Sequence, residues 1–326
     1  MTITAAPADT RVPGRTTRSD PTAPPWRPFR VVVARRQQLS PSFLRITFTG
    51  DDLDEFGHDG PDQRIKLYIP RAGHTVPDLS PTDWYTQYRA TDPAQRGFIR
   101  TYTIRAVRTQ LRELDVDFVL HDAGNDHSGP AASWAANANV GDELAVIGPN
   151  RVFPGDCRGH EWHPPFSVRD VLIAGDETAV PAIAGILHQL RDAGSTSRVR
   201  VLLEVPGPDD VLPLPAPEHA TVTWLPRRRP DGMVAPHGHL LVDAVRNTDL
   251  HPAPSSGADL STVDTVDIDL EILWEVAASA TSPVYAWVAG EAGAVKAIRR
   301  HLVSERGIDK SAVTFMGYWR LGRALD

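Results

Sequence analysis

"DVLIAGDETAVPAIAGILHQLRDAG", residues 170 to 194, decides the fold of the C-terminal half. An apolar run, a turn at Gly175 and apolar residues recurring at helical spacing make a strand, a turn and an amphipathic helix. The strand-like run "RVRVLLEV", 198 to 205, follows directly, so the unit is βαβ and its sheet is parallel. "SPVYAWVAGEAGAVKAIRRHLVSERG", 282 to 307, repeats strand, Gly turn and helix, and "AVTFMGYWRLG" closes the chain. Residues 169–326 are therefore expected to form an α/β domain with a parallel sheet.

Upstream the texture differs. From Phe29 the chain runs in short alternating segments: "FRVVVARRQQ", "FLRITFTG", "QRIKLYIP", "GFIRTYTIRAVR", "ELDVDFVLH" and "ELAVIGP". Punctuation by Gly, Pro, Asp and Asn marks them as strands of an antiparallel, Greek-key β-barrel over residues 28–150. Residues 151–168 read as a Pro- and His-rich linker. Residues 1–27 read as a disordered tail, with no apolar core of signal-peptide length. The fold class is thus two-domain, a barrel followed by an α/β sheet.

Composition narrows the functions. A net charge of -7 argues against nucleic-acid binding, which needs surplus cations to displace counterions. Lysine appears only as Lys66, Lys296 and Lys310, the remaining positive charge being Arg. Cys157 is the single cysteine, which excludes a disulfide framework and a cysteine-ligated iron–sulfur cluster. No segment approaches the apolar length of a membrane span, and the cytoplasm is the expected compartment. Cys157, His160 and His163 recur every third residue in the linker, but that spacing matches no familiar zinc pattern.

"GFIRTYTIRAVR", 97 to 108, crowds Arg100, Tyr102 and Thr103 onto one strand. Alternation puts Arg100, Tyr102 and Ile104 on one face and Thr101, Thr103 and Arg105 on the other. By itself this is an ordinary strand. Residues 121 to 142, "HDAGNDHSGPAASWAANANVGD", add a Gly-Pro-small-small-Ser turn opening a short helix. First-turn amides lack helical partners and suit a phosphate, at roughly 0.3–1 kcal/mol per charge interaction. Arg100 would balance a pyrophosphate there, Tyr102 would lie against an isoalloxazine ring and Thr103 would hydrogen-bond it.

In the second half, "AGDETAVPAI" offers one Gly and two carboxylates, unsuited to phosphate and better suited to a nicotinamide; Asp176 or Glu177 would equally cap the helix. Glu204 ends a strand where an acid often binds ribose hydroxyls, whereas Arg227, Arg228 and Arg229 would favour a 2'-phosphate. The cues conflict, and both NADH and NADPH stay open.

The motifs "RTYTIR", "VDFVLH", "GPAASWAANANVGD", "AGDETAVPAI", "WVAGEAGAVKAIRRHL" and "GYWRLG" stand in one order across the chain. In this the sequence resembles the siderophore-interacting proteins, FAD-dependent NAD(P)H:ferric-siderophore reductases of the ferredoxin-reductase-like group. The resemblance implies FAD as cofactor, NADPH or NADH as donor and a ferric siderophore as substrate. It implies an FAD site of Arg100, Tyr102, Thr103, Arg105, His121, Ala131, Ala132, Ser133, Trp134 and Thr178. The nicotinamide site would take Asp176, Glu177, Glu204, Arg228, Gly290, Glu291 and Trp319, and Arg320 and Arg323 would face the substrate. Trp319 belongs to an aromatic pair, with Tyr318, that either seals a core or covers the flavin. No side chain is implied as acid or base, since the work is binding, orientation and electrostatics.

Three departures from the pattern stand out: a longer loop after His121, a longer linker, and a polar insertion from 244 to 272 leading into an expected helix at "LWEVAAS". The alternatives are a flavin reductase with another acceptor and a siderophore-binding protein without turnover.

Overall fold

The computed structural model describes residues 19–120, 129–165, 168–250, 273–278 and 282–322. Strands β1 (Trp26–Gln38), β2 (Phe43–Thr49), β3 (Arg64–Ile69), β4 (Phe98–Arg108), β5 (Glu113–Val119) and β6 (Glu143–Pro149) close an antiparallel barrel in the order β1-β2-β5-β4-β3-β6. Every expected strand is present. Period-2 alternation sends Phe29, Val31 and Val33 of β1 inward against Ile46, Ile65 and Val116. β1 begins at Trp26, inside the stretch read as tail, because the Trp26 indole N–H donates to the Cys157 carbonyl at 2.6 Å and ties the entry to the linker.

The strict alternation expected of β4 holds only through Ile104. A bulge between Ile104 and Ala106, opposite Val116 and Asp115 of β5, makes Arg105 the extra residue. Helix α1 (Trp84–Ala90) lies between β3 and β4, and α2 (Pro130–Asn137) between β5 and β6.

The second sheet runs β10-β12-β11-β7-β8-β9. Its strands β7 (Asp170–Gly175), β8 (Arg198–Val205), β9 (Thr221–Pro226), β11 (Val284–Glu291) and β12 (Val313–Trp319) are parallel. Helices α3 (Val180–Asp192), α4 (His239–Arg246) and α5 (Ala292–Arg299) cover it. The helix expected at "LWEVAAS" is not there: Trp274–Glu275 forms the edge strand β10, antiparallel to Met316 and Phe315 of β12. Leu273 is buried and Trp274 stacks on Tyr318, so side-chain burial fixes this short run as a strand.

Two buried carboxylates join barrel and sheet. Asp62, before β3, accepts the backbone N–H groups of Glu161 and Trp162 and the indole N–H of Trp287 on β11. Asp210 accepts both hydroxyls of Ser40 and Ser42, the Ser42 N–H and the Gly207 N–H. Gly185 of α3 packs so closely on Pro61 that a Cβ there would stand 2.2 Å from its carbonyl oxygen.

Candidate functional site

On the barrel side the site begins at Arg100. This half-buried guanidinium donates only to the carbonyl of Ile99, at 2.8 Å, and has no carboxylate partner among the described residues. Two residues on, the Tyr102 ring leans on Phe118 with centroids 4.7 Å apart, and Trp134 of α2 meets the same Phe118 at 6.2 Å. This aromatic contact sets α2 against β4. Burial pushes the Tyr102 phenol up and keeps it neutral.

The N-terminus of α2 is left open. Gly129 is extended, with no side-chain cap, and a Cβ at Gly129 would meet nothing within 4 Å. Ala131 and Ala132 are buried and Ser133 is exposed. At the other end Arg36 donates to the carbonyls of Ala135 and Ala136, satisfying acceptors left over at the helix C-terminus. Arg105 sits 3.9 Å from Asp117, whose two oxygens are already held by Arg45. Burial, aided by Arg45, lowers its pKa. His121 lies outside the described residues.

On the sheet side, the C-terminal ends of β7, β11 and β12 converge on Asp176. Its Oδ1 accepts the Thr178 N–H at 2.9 Å and the Thr178 hydroxyl at 2.5 Å; its Oδ2 accepts the Glu291 N–H at 2.7 Å and the Trp319 indole N–H at 2.8 Å. Gly290, at φ +145°, leaves the room: a Cβ there would lie 2.6 Å from Asp176 Oδ2. Burial, reinforced by Glu177, pushes the Asp176 carboxyl up to about 6. Glu291 caps α5 by accepting the Ala294 N–H at 2.9 Å. Asp176, Thr178, Gly290, Glu291 and Trp319, expected from separate motifs, thus meet in one place.

Glu177 and Glu204 form a second, inner group. Arg227 grips Glu177 with two bonds of 2.8 Å and reaches Glu204 at 3.2 Å. His237 adds a contact to Glu177 at 3.2 Å and meets the Trp319 ring edge-on at 4.7 Å. Burial alone would disfavour the Glu177 anion, but the bonds from His237 and Arg227 outweigh it and hold the carboxyl at about 2. Glu204 accepts the N–H groups of Gly238 and Leu241 and is fully buried. It therefore caps α4 instead of presenting an oxygen to a ribose. Of the expected arginines, Arg227 is spent on this ion pair while Arg228 and Arg229 stay exposed.

The two sides meet along a seam. Tyr318 of β12 turns its hydroxyl toward Thr103 of β4, where it is buried without completing a hydrogen bond. Thr103 itself is buried. Tyr318 stacks on Trp274 at 6.1 Å, and the Arg64 guanidinium lies 4.2 Å from the Trp274 ring. Arg320, one residue past β12, is half-buried, and Arg323 lies outside the described residues.

Sequence reasoning missed His237 and Lys66. Lys66, on β3 opposite Thr101, is half-buried without a carboxylate partner among the described residues, and burial lowers its pKa. Its only signal in the sequence is the scarcity of lysine. In the linker, the Cys157 thiol points at the Asn150 carbonyl, 3.6 Å away, and burial pushes it up to about 11. No group of three metal-binding side chains gathers among the described residues. Nor is any described helix long and apolar enough to cross a membrane.

Comparison with known proteins gives this geometry its context. Residues 32–153 match the siderophore-interacting FAD-binding domain, and residues 168–322 match the siderophore-interacting protein family. The chain belongs to the siderophore-interacting protein family. Within it, the uncharacterized protein Rv2895c of Mycobacterium tuberculosis is 32% identical over 304 residues, covering 92% of each chain. The ferric vibriobactin reductase ViuB of Vibrio cholerae is 29% identical over 289 residues, covering 89% of this chain and 88% of ViuB. The crystal structure of a siderophore utilization protein from T. fusca superposes with a TM-score of 0.66 at 28% identity, over 93% of this chain and 96% of that one. The barrel is accordingly an FAD-binding domain of this family.

Proposed function

We propose that the protein reduces the iron of a ferric siderophore with electrons from NADPH or NADH through bound FAD. The observation that carries the reading is Arg100, a half-buried cation without an acid partner among the described residues, on an FAD-binding barrel beside the uncapped α2. The likeness to ViuB, a named ferric reductase, supports the activity.

In this reading Arg100 and the first-turn amides of α2 hold the FAD pyrophosphate, with Ser133 adding a hydroxyl. Tyr102 and Thr103 set the ring at the seam, and Trp134 keeps α2 in register with β4 through Phe118. When bound, FAD supplies the conversion of a two-electron hydride donor into single-electron transfers. Asp176 anchors Trp319 and the starts of the flanking turns, which fixes the wall where a nicotinamide would enter. Arg228 offers a cation to a 2'-phosphate. Lys66, with Arg320 and Arg323, draws an anionic chelate despite the net negative charge. Iron then leaves its siderophore because oxygen ligands hold Fe(III) far more tightly than Fe(II).

The test is an anaerobic visible spectrum of the protein reconstituted with FAD. Flavin bands that bleach with NADPH or NADH, and return as an Fe(II) trap colours after a ferric siderophore is added, are the expected result. Failure to retain FAD, or bleaching without any iron reduction, would refute it.

A further inference from the structure

Trp319 ends β12 and meets neighbours from distant parts of the chain. Its indole N–H donates to Asp176 Oδ2 at 2.8 Å, and its ring meets the His237 imidazole with centroids 4.7 Å apart and planes at 83°. The register of β11 with β12 sets it opposite Glu291. Ligands of an open parallel sheet bind beyond the carboxyl ends of its strands, which is where this half-buried ring stands. A bond at one atom leaves the plane of a ring free to swing. A second contact, on the ring itself, removes that freedom.

His237 is itself firmly placed. Residues 227–235 fold back as a hairpin, the Arg229 N–H donating to the Met233 carbonyl at 2.8 Å and the Ala235 N–H to the Arg227 carbonyl at 3.0 Å. Arg227 anchors the start of the hairpin on Glu177 and Glu204, and the Gly238 N–H anchors its exit on Glu204 at 2.7 Å. Gly238, at φ +77°, turns the chain into α4, and a Cβ there would stand 2.5 Å from that of Ala294 on α5. Between these anchors the imidazole has its Nε2 3.2 Å from Glu177 Oε1 and its Nδ1 3.7 Å from Glu204 Oε1.

Both carboxylates keep partners without the ring. Glu177 holds Arg227 through two bonds of 2.8 Å, and Glu204 accepts the N–H groups of Gly238 and Leu241. What the imidazole adds to this group is its edge-on contact with Trp319.

We propose that His237 is a positioning residue for flavin reduction: it fixes the plane of Trp319, and Trp319 in turn orients the nicotinamide. The proposal rests on the reductase reading and concerns its first step, in which a hydride leaves the dihydronicotinamide, thereby oxidised, and reduces the flavin by two electrons. His237 acts on that step through Trp319 alone. Its ring carries the role, and its bond to Glu177 serves to aim the ring.

The contact is read directly by nuclear magnetic resonance of the FAD-loaded protein with 15N-labelled tryptophan, the Trp319 indole signal being assigned by its loss in Trp319→Phe. His237→Ala should speed exchange of that indole proton with water roughly threefold to tenfold, as loss of one aromatic contact implies. His237→Phe, which keeps a ring, should restore slow exchange, and His237→Gln, which keeps only a polar group for Glu177, should not. Stopped-flow reduction by NADPH or NADH then separates limiting rate from donor affinity. His237→Ala should lower the limiting rate about tenfold, the effect of a small misplacement, and leave donor affinity within about twofold. In a Trp319→Ala background the same substitution should cost nothing further. Unchanged indole exchange, rescue by Gln in place of Phe, or equal rate losses in both backgrounds would overturn the proposal. Were neither donor to bleach the flavin of the parent protein, the reductase reading would fall, and the indole exchange would still decide whether His237 fixes the ring.

Discussion

Asp176 accepts the indole N–H of Trp319 at 2.8 Å through the same oxygen that accepts the Glu291 N–H, so one buried carboxylate ties the ends of three parallel strands together. Its folded value, about 6, lies above the ordinary 3.8. A carboxyl shifted upward binds its proton more tightly in the native state, so its contribution to stability falls as pH rises from about 4 to about 6. The loss amounts to something on the order of 3 kcal/mol. Asp176→Asn, which cannot ionise, should flatten that part of the profile in urea unfolding at pH 4 and pH 6. An undiminished drop in the variant would assign the pH dependence to another group.

Arg100→Ala removes the cation assigned to the pyrophosphate and breaks no ion pair among the described residues. FAD affinity should fall about ten- to a hundredfold, the equivalent of one hydrogen bond to a charged group. Fluorescence titration of the apoprotein with FAD measures it, and an unchanged dissociation constant removes Arg100 from that role.

Gly185→Ala places a methyl group 2.2 Å from the Pro61 carbonyl oxygen, where backbone rather than a flexible side chain must yield. Destabilisation of roughly 1–3 kcal/mol is expected. A lowered thermal midpoint records it; a midpoint equal to that of the parent would mean the helix and loop separate without strain.

Arg228 is exposed beyond β9 while Arg227 is held by Glu177 and Glu204. If Arg228 reads the 2'-phosphate, Arg228→Ala raises KM for NADPH about tenfold and leaves KM for NADH unchanged. Steady-state kinetics with both donors decide it, and parallel changes would count against the assignment.

The barrel was legible because each of its strands carries its own period-2 signal, from "FRVVVARRQQ" to "ELAVIGP". The βαβ units were legible for the same local reason, and so was α2, with Pro130 at its first turn. What escaped depends on distant partners. Trp274–Glu275 becomes a strand only because β12 offers an edge. Glu204 loses its expected ribose role because Gly238, far along the chain, brings the α4 amides to it. His237 has no neighbouring motif and acquires meaning only where Glu177 and Trp319 meet it. The Arg105 bulge is set by the register with β5, which no single strand encodes.

The pins between barrel and sheet, Asp62 and Asp210, are held by amides, hydroxyls and an indole, with no countercation at either among the described residues. Dissolved ions screen exposed charges within about 10 Å at 0.1 M salt but do little to short, buried hydrogen bonds. The posture of the two halves should therefore be indifferent to ionic strength, while the capture of an anionic chelate proposed for Lys66, Arg320 and Arg323 would weaken as salt rises. Brine would loosen such a grip and leave the frame intact.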